Sequence, residues 1–163
     1  MMKTIASFLF FLFIACIFSV GKSKRLYPNY EWKLPPSIVN CITPEDMDVQ
    51  VFDDAVKFWE GHGHSFLFKE NYSGDICDSP LPHGFIIIKI SYDLSYYTLG
   101  KTSRVFEKDS YVMAGSIIHL NYAHVHDTLV LTHEIGHALG YMHVDEVGHI
   151  MNPLRPNAGF YFY

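Results

Sequence analysis

One segment, HEIGHALGYMH at 133–143, dictates more of this chain's geometry than any other. His133 and His137 are four residues apart, about 400° of rotation on an α-helix, so both imidazoles leave the same face one turn apart. Two ring nitrogens so placed can reach one zinc ion at about 2.0–2.1 Å. Glu134 lies about 100° further round the helix. There its carboxylate flanks the ion without coordinating it, which is where a general base is wanted. Gly140 readily takes the positive φ of a helix C-terminal turn, after which the chain can swing His143 back under the ion. Three histidines leave a fourth position open for water. A lone His-Glu-x-x-His also occurs on surface helices that hold no metal. Gly140, His143 and a methionine eight residues further on, in His149-Ile150-Met151-Asn152-Pro153, make this version specific.

The start of the chain reads differently. Met1-Met2-Lys3 is a short positive lead, Ile5 to Val20 is almost wholly apolar, and Ser19-Val20-Gly21 offers small residues to a signal peptidase. The expectation is a secretory signal at 1–21, since the run is short for a membrane span. The alternative is an uncleaved membrane anchor through residues 5–20. Lipidation of Cys16 is disfavoured because the apolar run continues past it. Removing 1–21 takes Lys3 and leaves 11 basic and 17 acidic side chains from a total of 12 and 17. That balance lacks the basic stripe a nucleic-acid partner would want. Cys41 and Cys77 remain, and in an exported chain such a pair reads as a disulfide, with two separate buried thiols as the alternative.

The rest is sized for one domain. Residues 22–36 (KSKRLYPNYEWKLPP) are polar, basic and punctuated by proline, a lead-in arm; 37–163 form the domain proper. Ser37 to Ile42 reads as a short strand. Thr43-Pro44-Glu45-Asp46 reads as a helix start with Thr43 as N-cap, followed by Met47, Val51, Phe52, Ala55, Val56 and Trp59 at helical spacing. Strands are expected at Ser65 to Lys69, Gly84 to Ile90 and Tyr111 to Asn121. The second is nearly continuous in β-branched residues, as a strand covered on both faces is. Thr102 to Lys108 alternates as an exposed edge strand does. Asp127 can cap a helix over Thr128 to Leu139. The order β-α-β-β-β-β-α gives an α/β sandwich.

HEIGHALGYMH followed by IMNP resembles the metzincin clan of zinc endopeptidases, and is most similar to the matrixin type. The resemblance is strongest over 128–153 and extends in element order from about 37. It implies an α/β fold: a twisted, mostly parallel five-stranded sheet with an antiparallel edge strand, two main helices and a Met-turn below the zinc. It implies that His133, His137 and His143 bind one catalytic Zn²⁺ and that Glu134 is the catalytic base. Met151 would form a hydrophobic floor under the metal. Thr102 to Lys108 would receive extended peptide by β-augmentation. The expected function is then a secreted zinc-dependent endopeptidase, a monomer, hydrolysing peptide bonds through a zinc-bound water activated by Glu134. It would have no membrane association once the signal is cleaved. The alternative is a zinc-stabilised secreted binding module with little catalysis.

The sequence departs from the matrixin pattern in four places. Asn152 stands where matrixins have tyrosine, and the 12 residues after Met151 leave little room for a C-terminal helix. The arm has no cysteine to cap the zinc. Residues 90–100 lack the His/Asp pattern of a structural-zinc loop, so no second zinc is expected. Of the other histidines, His62, His64 and His83 read as solvated, and His119 as a strand residue of either face. His124 and His126 are weak candidates for support of the site, and His149 for contact with substrate.

Overall fold

The computed structural model describes residues 26–71, 74–78, 80 and 83–162. The expected signal at 1–21, the alternative anchor at 5–20 and the first four residues of the arm lie outside the described residues. No helix among the described residues is long and apolar enough to cross a membrane.

The architecture is α/β, with a mostly parallel sheet. Strands β1 (Glu31–Trp32), β2 (Ser37–Asn40), β3 (Lys69–Asn71), β4 (Phe85–Ser91), β5 (Gly100–Phe106) and β6 (Val112–Asn121) make one sheet. Its path is β1-β6-β4-β2-β3, all parallel, while β5 pairs with β6 antiparallel. Met113 of β6 pairs with Trp32 of β1 and also with Phe106 of β5, so β5 lies on the opposite side of β6 from β1. Among the described residues β6 is the only strand paired with β5, and its outer edge is open.

Helices α1 (Val49–Gly61) and α3 (Thr128–Ala138) cover one face; α2 (Gly74–Cys77) is a single turn. The periodicity that predicts α1 is the stripe it buries: Val51, Phe52, Ala55, Val56 and Trp59. These pack with Ile38, Ile86, Ile88, Ile118 and Leu120 of the sheet and with Leu131 and Ile135 of α3. Ile86, Ile87 and Ile88 are all fully buried, as expected of a strand covered on both faces.

Four features differ from the sequence reading, each for an identifiable reason. Thr43 does not cap α1. Its carbonyl accepts from Asp46 and Met47 in a separate closed turn, and Asp48 caps the helix by accepting from the Gln50 N–H. The strand expected from Ser65 begins only at Lys69, where pairing with Ile38 starts; Leu67 and Phe68 are exposed. The edge strand runs over 100–106, two residues early, because Asp109 takes φ 56 and the chain turns back.

The fourth difference is in the arm, which contributes a sixth strand where five are expected. β1 is anchored by the end of α3. The Asn29 N–H donates to the Gly140 carbonyl at 2.9 Å, and Trp32 Nε1–H donates to the Ala138 carbonyl at 2.9 Å. The last carbonyls of a helix have no partner within it, and here the arm supplies donors.

Cys41, just after β2, is bridged to Cys77 in α2, with Cα atoms 5.6 Å apart. The bridge closes a loop across a sequence separation of 36, which the chain-entropy account values at about 4 kcal/mol. Replacing both cysteines by serine should lower unfolding stability by about 2–4 kcal/mol, read from urea titration. Thiol titration of the unfolded, unreduced protein should find neither sulfhydryl free.

Candidate metal centre

The helix carrying the motif is held at both ends. At its start the Asp127 carboxylate accepts from the Leu129 and Val130 N–H groups. The same carboxylate takes Arg155, whose Nε and Nη2 donate at 3.0 and 3.2 Å. At its end Gly140 has φ +101, and a Cβ there would stand 2.0 Å from the Tyr30 carbonyl oxygen. Glycine is required twice over: for the turn and for the arm's close approach.

This turn brings the three histidines together. Their ligand atoms all lie within 4.8 Å of one another, and His137 Nε2 is 3.0 Å from His143 Nε2. Each helix histidine is oriented by a backbone carbonyl. His133 Nδ1–H donates to Ile150 O at 2.7 Å, and His137 Nδ1–H to Tyr141 O at 2.8 Å. A carbonyl only accepts, so the proton of His133 is on Nδ1. His137 Nδ1 also lies 3.2 Å from the donor Arg104 Nη2, and its shorter carbonyl contact places the proton on Nδ1 there too, leaving both Nε2 lone pairs for a metal. Burial pushes the imidazolium forms of His133 and His143 below the ordinary histidine range and that of His137 down to about 3. Three neutral imidazoles with converging nitrogens suit a divalent cation: tetrahedral zinc–nitrogen bonds of about 2.0–2.1 Å would set the nitrogens about 3.4 Å apart. The residues fit such an ion.

Glu134 is buried, and burial pushes its carboxyl up to about 7, against the Thr102 hydrogen bond and the nearby Arg104 charge. Thr102 Oγ1 lies 2.6 Å from Glu134 Oε2. Arg104 donates through Nε to the His137 carbonyl at 2.7 Å and through Nη2 to the Tyr141 carbonyl at 3.4 Å. The inner-facing residues of β5 thus brace both the acid and the helix end. Edge-strand alternation was legible in the sequence, but nothing in the motif pointed to Thr102 and Arg104. The only available signal was their i, i+2 spacing.

Met151 is fully buried. Its approach depends on Gly136: a Cβ there would meet Met151 Sδ at 2.4 Å and Trp59 Cζ2 at 2.6 Å. Val144 N–H donates to the Met151 carbonyl at 2.9 Å, tying the turn to the chain just after His143. Asn152 is buried and holds the turn itself, donating to Glu146 O and accepting from the Leu154 N–H.

His149 does not face substrate. It is 1% exposed and accepts the Met151 N–H through Nδ1 at 2.9 Å. His64 is not solvated, since Nε2 is hydrogen-bonded to the Tyr141 hydroxyl at 2.9 Å. His62 is exposed, as expected. His124 lines the cavity next to the triad, whereas His126 lies outside it; the Nδ1 atoms of His133 and His137 are paired with backbone carbonyls, not with either of them.

Beside the triad lies a cavity of about 560 Å³. Leu99, Leu129, Val130 and Pro153 line it with the side chains of Tyr96 and Tyr97, and His133, Glu134 and His143 stand in its wall. The short C-terminal stretch does not leave it unformed. A one-turn 3-10 helix at Arg155–Asn157 supplies a wall, and the chain then returns to pair His149 with Tyr161.

Two results should follow. Protein equilibrated with excess divalent metal and desalted should retain one ion per chain by elemental analysis, and His143→Ala should abolish retention, because two ligands hold the ion poorly. Gly136→Ala should cost about 1–3 kcal/mol of stability in urea unfolding, through overpacking against Met151 and Trp59. Set beside protein-family models and curated protein sequences, the chain matches none of them.

Proposed function

We propose that this chain is a zinc-dependent endopeptidase of the metzincin type, acting outside the cytoplasm on peptide bound in extended form. One observation carries the reading: three neutral imidazoles converge beside a buried glutamate at the wall of an apolar cavity, next to an open sheet edge. Export is supported by the apolar leader in the sequence and by the Cys41–Cys77 bridge, a feature of oxidising compartments.

His133, His137 and His143 would hold the zinc, which when bound supplies Lewis-acid polarisation of a carbonyl and a water of lowered pKa. Glu134 takes a proton from the attacking water and passes it to the leaving amine. In the metal-free protein burial raises its carboxyl to about 7, in the direction that favours a base that must both accept and release a proton. The free N–H and C=O groups along the outer edge of β5 pair with the substrate backbone. The cavity lined by Leu129, Val130 and Leu99 takes an apolar side chain flanking the scissile bond.

The reading is tested by incubating the protein with a mixed peptide library, with and without chelator, and mapping the cuts. Chelator-sensitive cleavage next to apolar residues is expected; absence of cleavage would move the chain to the metal-stabilised binding module. Glu134→Gln preserves size and leaves all three ligands in place. Zinc retention should be unchanged, and hydrolysis should fall by about 10²–10⁴-fold, the usual worth of one general base. A Glu134→Gln variant that cleaves as fast as the parent would remove this residue from the mechanism.

A further inference from the structure

The inner face of β5 carries a second role, seen in how Glu134 is held. Thr102 has one hydroxyl proton and two acceptors in range: Glu134 Oε2 at 2.6 Å and the Glu134 backbone carbonyl at 3.1 Å. The shorter separation is that of a charge-assisted O–H···O⁻ bond, so the proton is directed to the carboxylate. Among the described residues, Thr102 is the only hydrogen-bond partner of the Glu134 side chain. Arg104, the other group near enough to matter, turns its N–H groups to His137, Tyr141 and Met142 instead of to the Glu134 carboxylate. A carboxylate this enclosed needs that donor, because a buried charge without a hydrogen bond is costly.

Gly100 completes the cradle. A Cβ at this position would stand 2.7 Å from Glu134 Cγ and 2.9 Å from Oε1. One carboxylate oxygen is therefore tied by a hydroxyl, and the space for the other exists only because residue 100 has no side chain. Both holding points lie on one strand, two residues apart. Threonine suits the task, since its β-branched side chain has few χ1 options and the hydroxyl direction is fixed with the backbone.

We propose that Thr102 is the positioning residue for the base: it pins Oε2 of Glu134 so that Oε1 is the oxygen that exchanges protons with the reacting groups. This rests on the hydrolase reading above and adds to it a specific assignment outside the metal-binding motif. It also gives β5 two faces with two roles, the outer edge for substrate backbone and the inner face for the catalytic carboxylate.

The test compares Thr102→Val, which keeps the shape and removes the hydroxyl, with Thr102→Ser, which keeps the hydroxyl. In Thr102→Val, kcat should fall by about 10–100-fold, the scale of a small misplacement of a catalytic group, with KM and zinc affinity by chelator competition near parental. Thr102→Ser should recover most of that loss. A second readout needs neither metal nor activity. In urea unfolding of the metal-free protein, Thr102→Val should lower the midpoint, and the shift should shrink in a Glu134→Ala background. Parental kcat in Thr102→Val, a Thr102→Ser variant as impaired as Thr102→Val, or equal midpoint shifts in the two backgrounds would each overturn the proposal. Should the parent itself cleave no peptide, the hydrolase reading fails, and the coupling measured in metal-free protein alone decides whether Thr102 holds Glu134.

Discussion

The arrangement around the histidines depends on one close approach, that of Met151 and Trp59 to the backbone of α3 at Gly136. With no side chain there, the turn at 149–152 packs directly under the helix and α1 packs beside it. The Ile150 carbonyl can then reach His133 Nδ1. Trp59 is itself locked, donating through Nε1 to the Thr132 carbonyl at 2.8 Å. One apolar contact therefore fixes helix, turn and imidazole together. The burial it produces also keeps the rings neutral and raises the Glu134 carboxyl. Packing and electrostatics have the same cause here.

Much of this was legible in the sequence wherever a local rule operates alone. The His133/His137 spacing, the Gly140 turn, the Asp127 cap and the apolar stripe of α1 each follow from short-range geometry, and each is present. The α/β class follows from the order of apolar runs, while the mostly parallel sheet was implied by the family resemblance. The start of α1 moved within a single turn, because Asp48 outcompetes Thr43 as a cap. The rest of what escaped was set by partners far away in the chain. His64 is hydrogen-bonded because Tyr141 comes to it across the fold. The arm reads as polar and loose, yet its Trp32 and Asn29 find the carbonyls of α3. Gly100 and Thr102 look like ordinary strand residues until α3 is laid across them.

The stretch after Met151 is held by contacts more than by regular structure. Its one helical element among the described residues is a single 3-10 turn at Arg155–Asn157. Arg155 reaches back to the cap of α3, and Phe162 packs against Trp59, Tyr141 and His149 with ring centroids 5.0, 5.1 and 5.6 Å apart. An aromatic clasp and one ion pair hold this segment against the domain. The Arg155–Asp127 pair is partly exposed, so its charge adds little and its value is geometric: it fixes where the cavity wall stands.

The arm's attachment has a consequence for the order of events in folding. Trp32 meets Ala138 across a sequence separation of 106 residues. Contacts of such range carry the largest loop-closure entropy and tend to form late. The carbonyls they satisfy are those of the turn that carries His143 toward its partners. On this view α1, α3 and the inner strands assemble first, and the end of α3 is secured last. A metal ion that binds only the closed triad contributes its free energy at that final stage. The ligand set would then be a product of complete folding, unavailable to any partly formed chain.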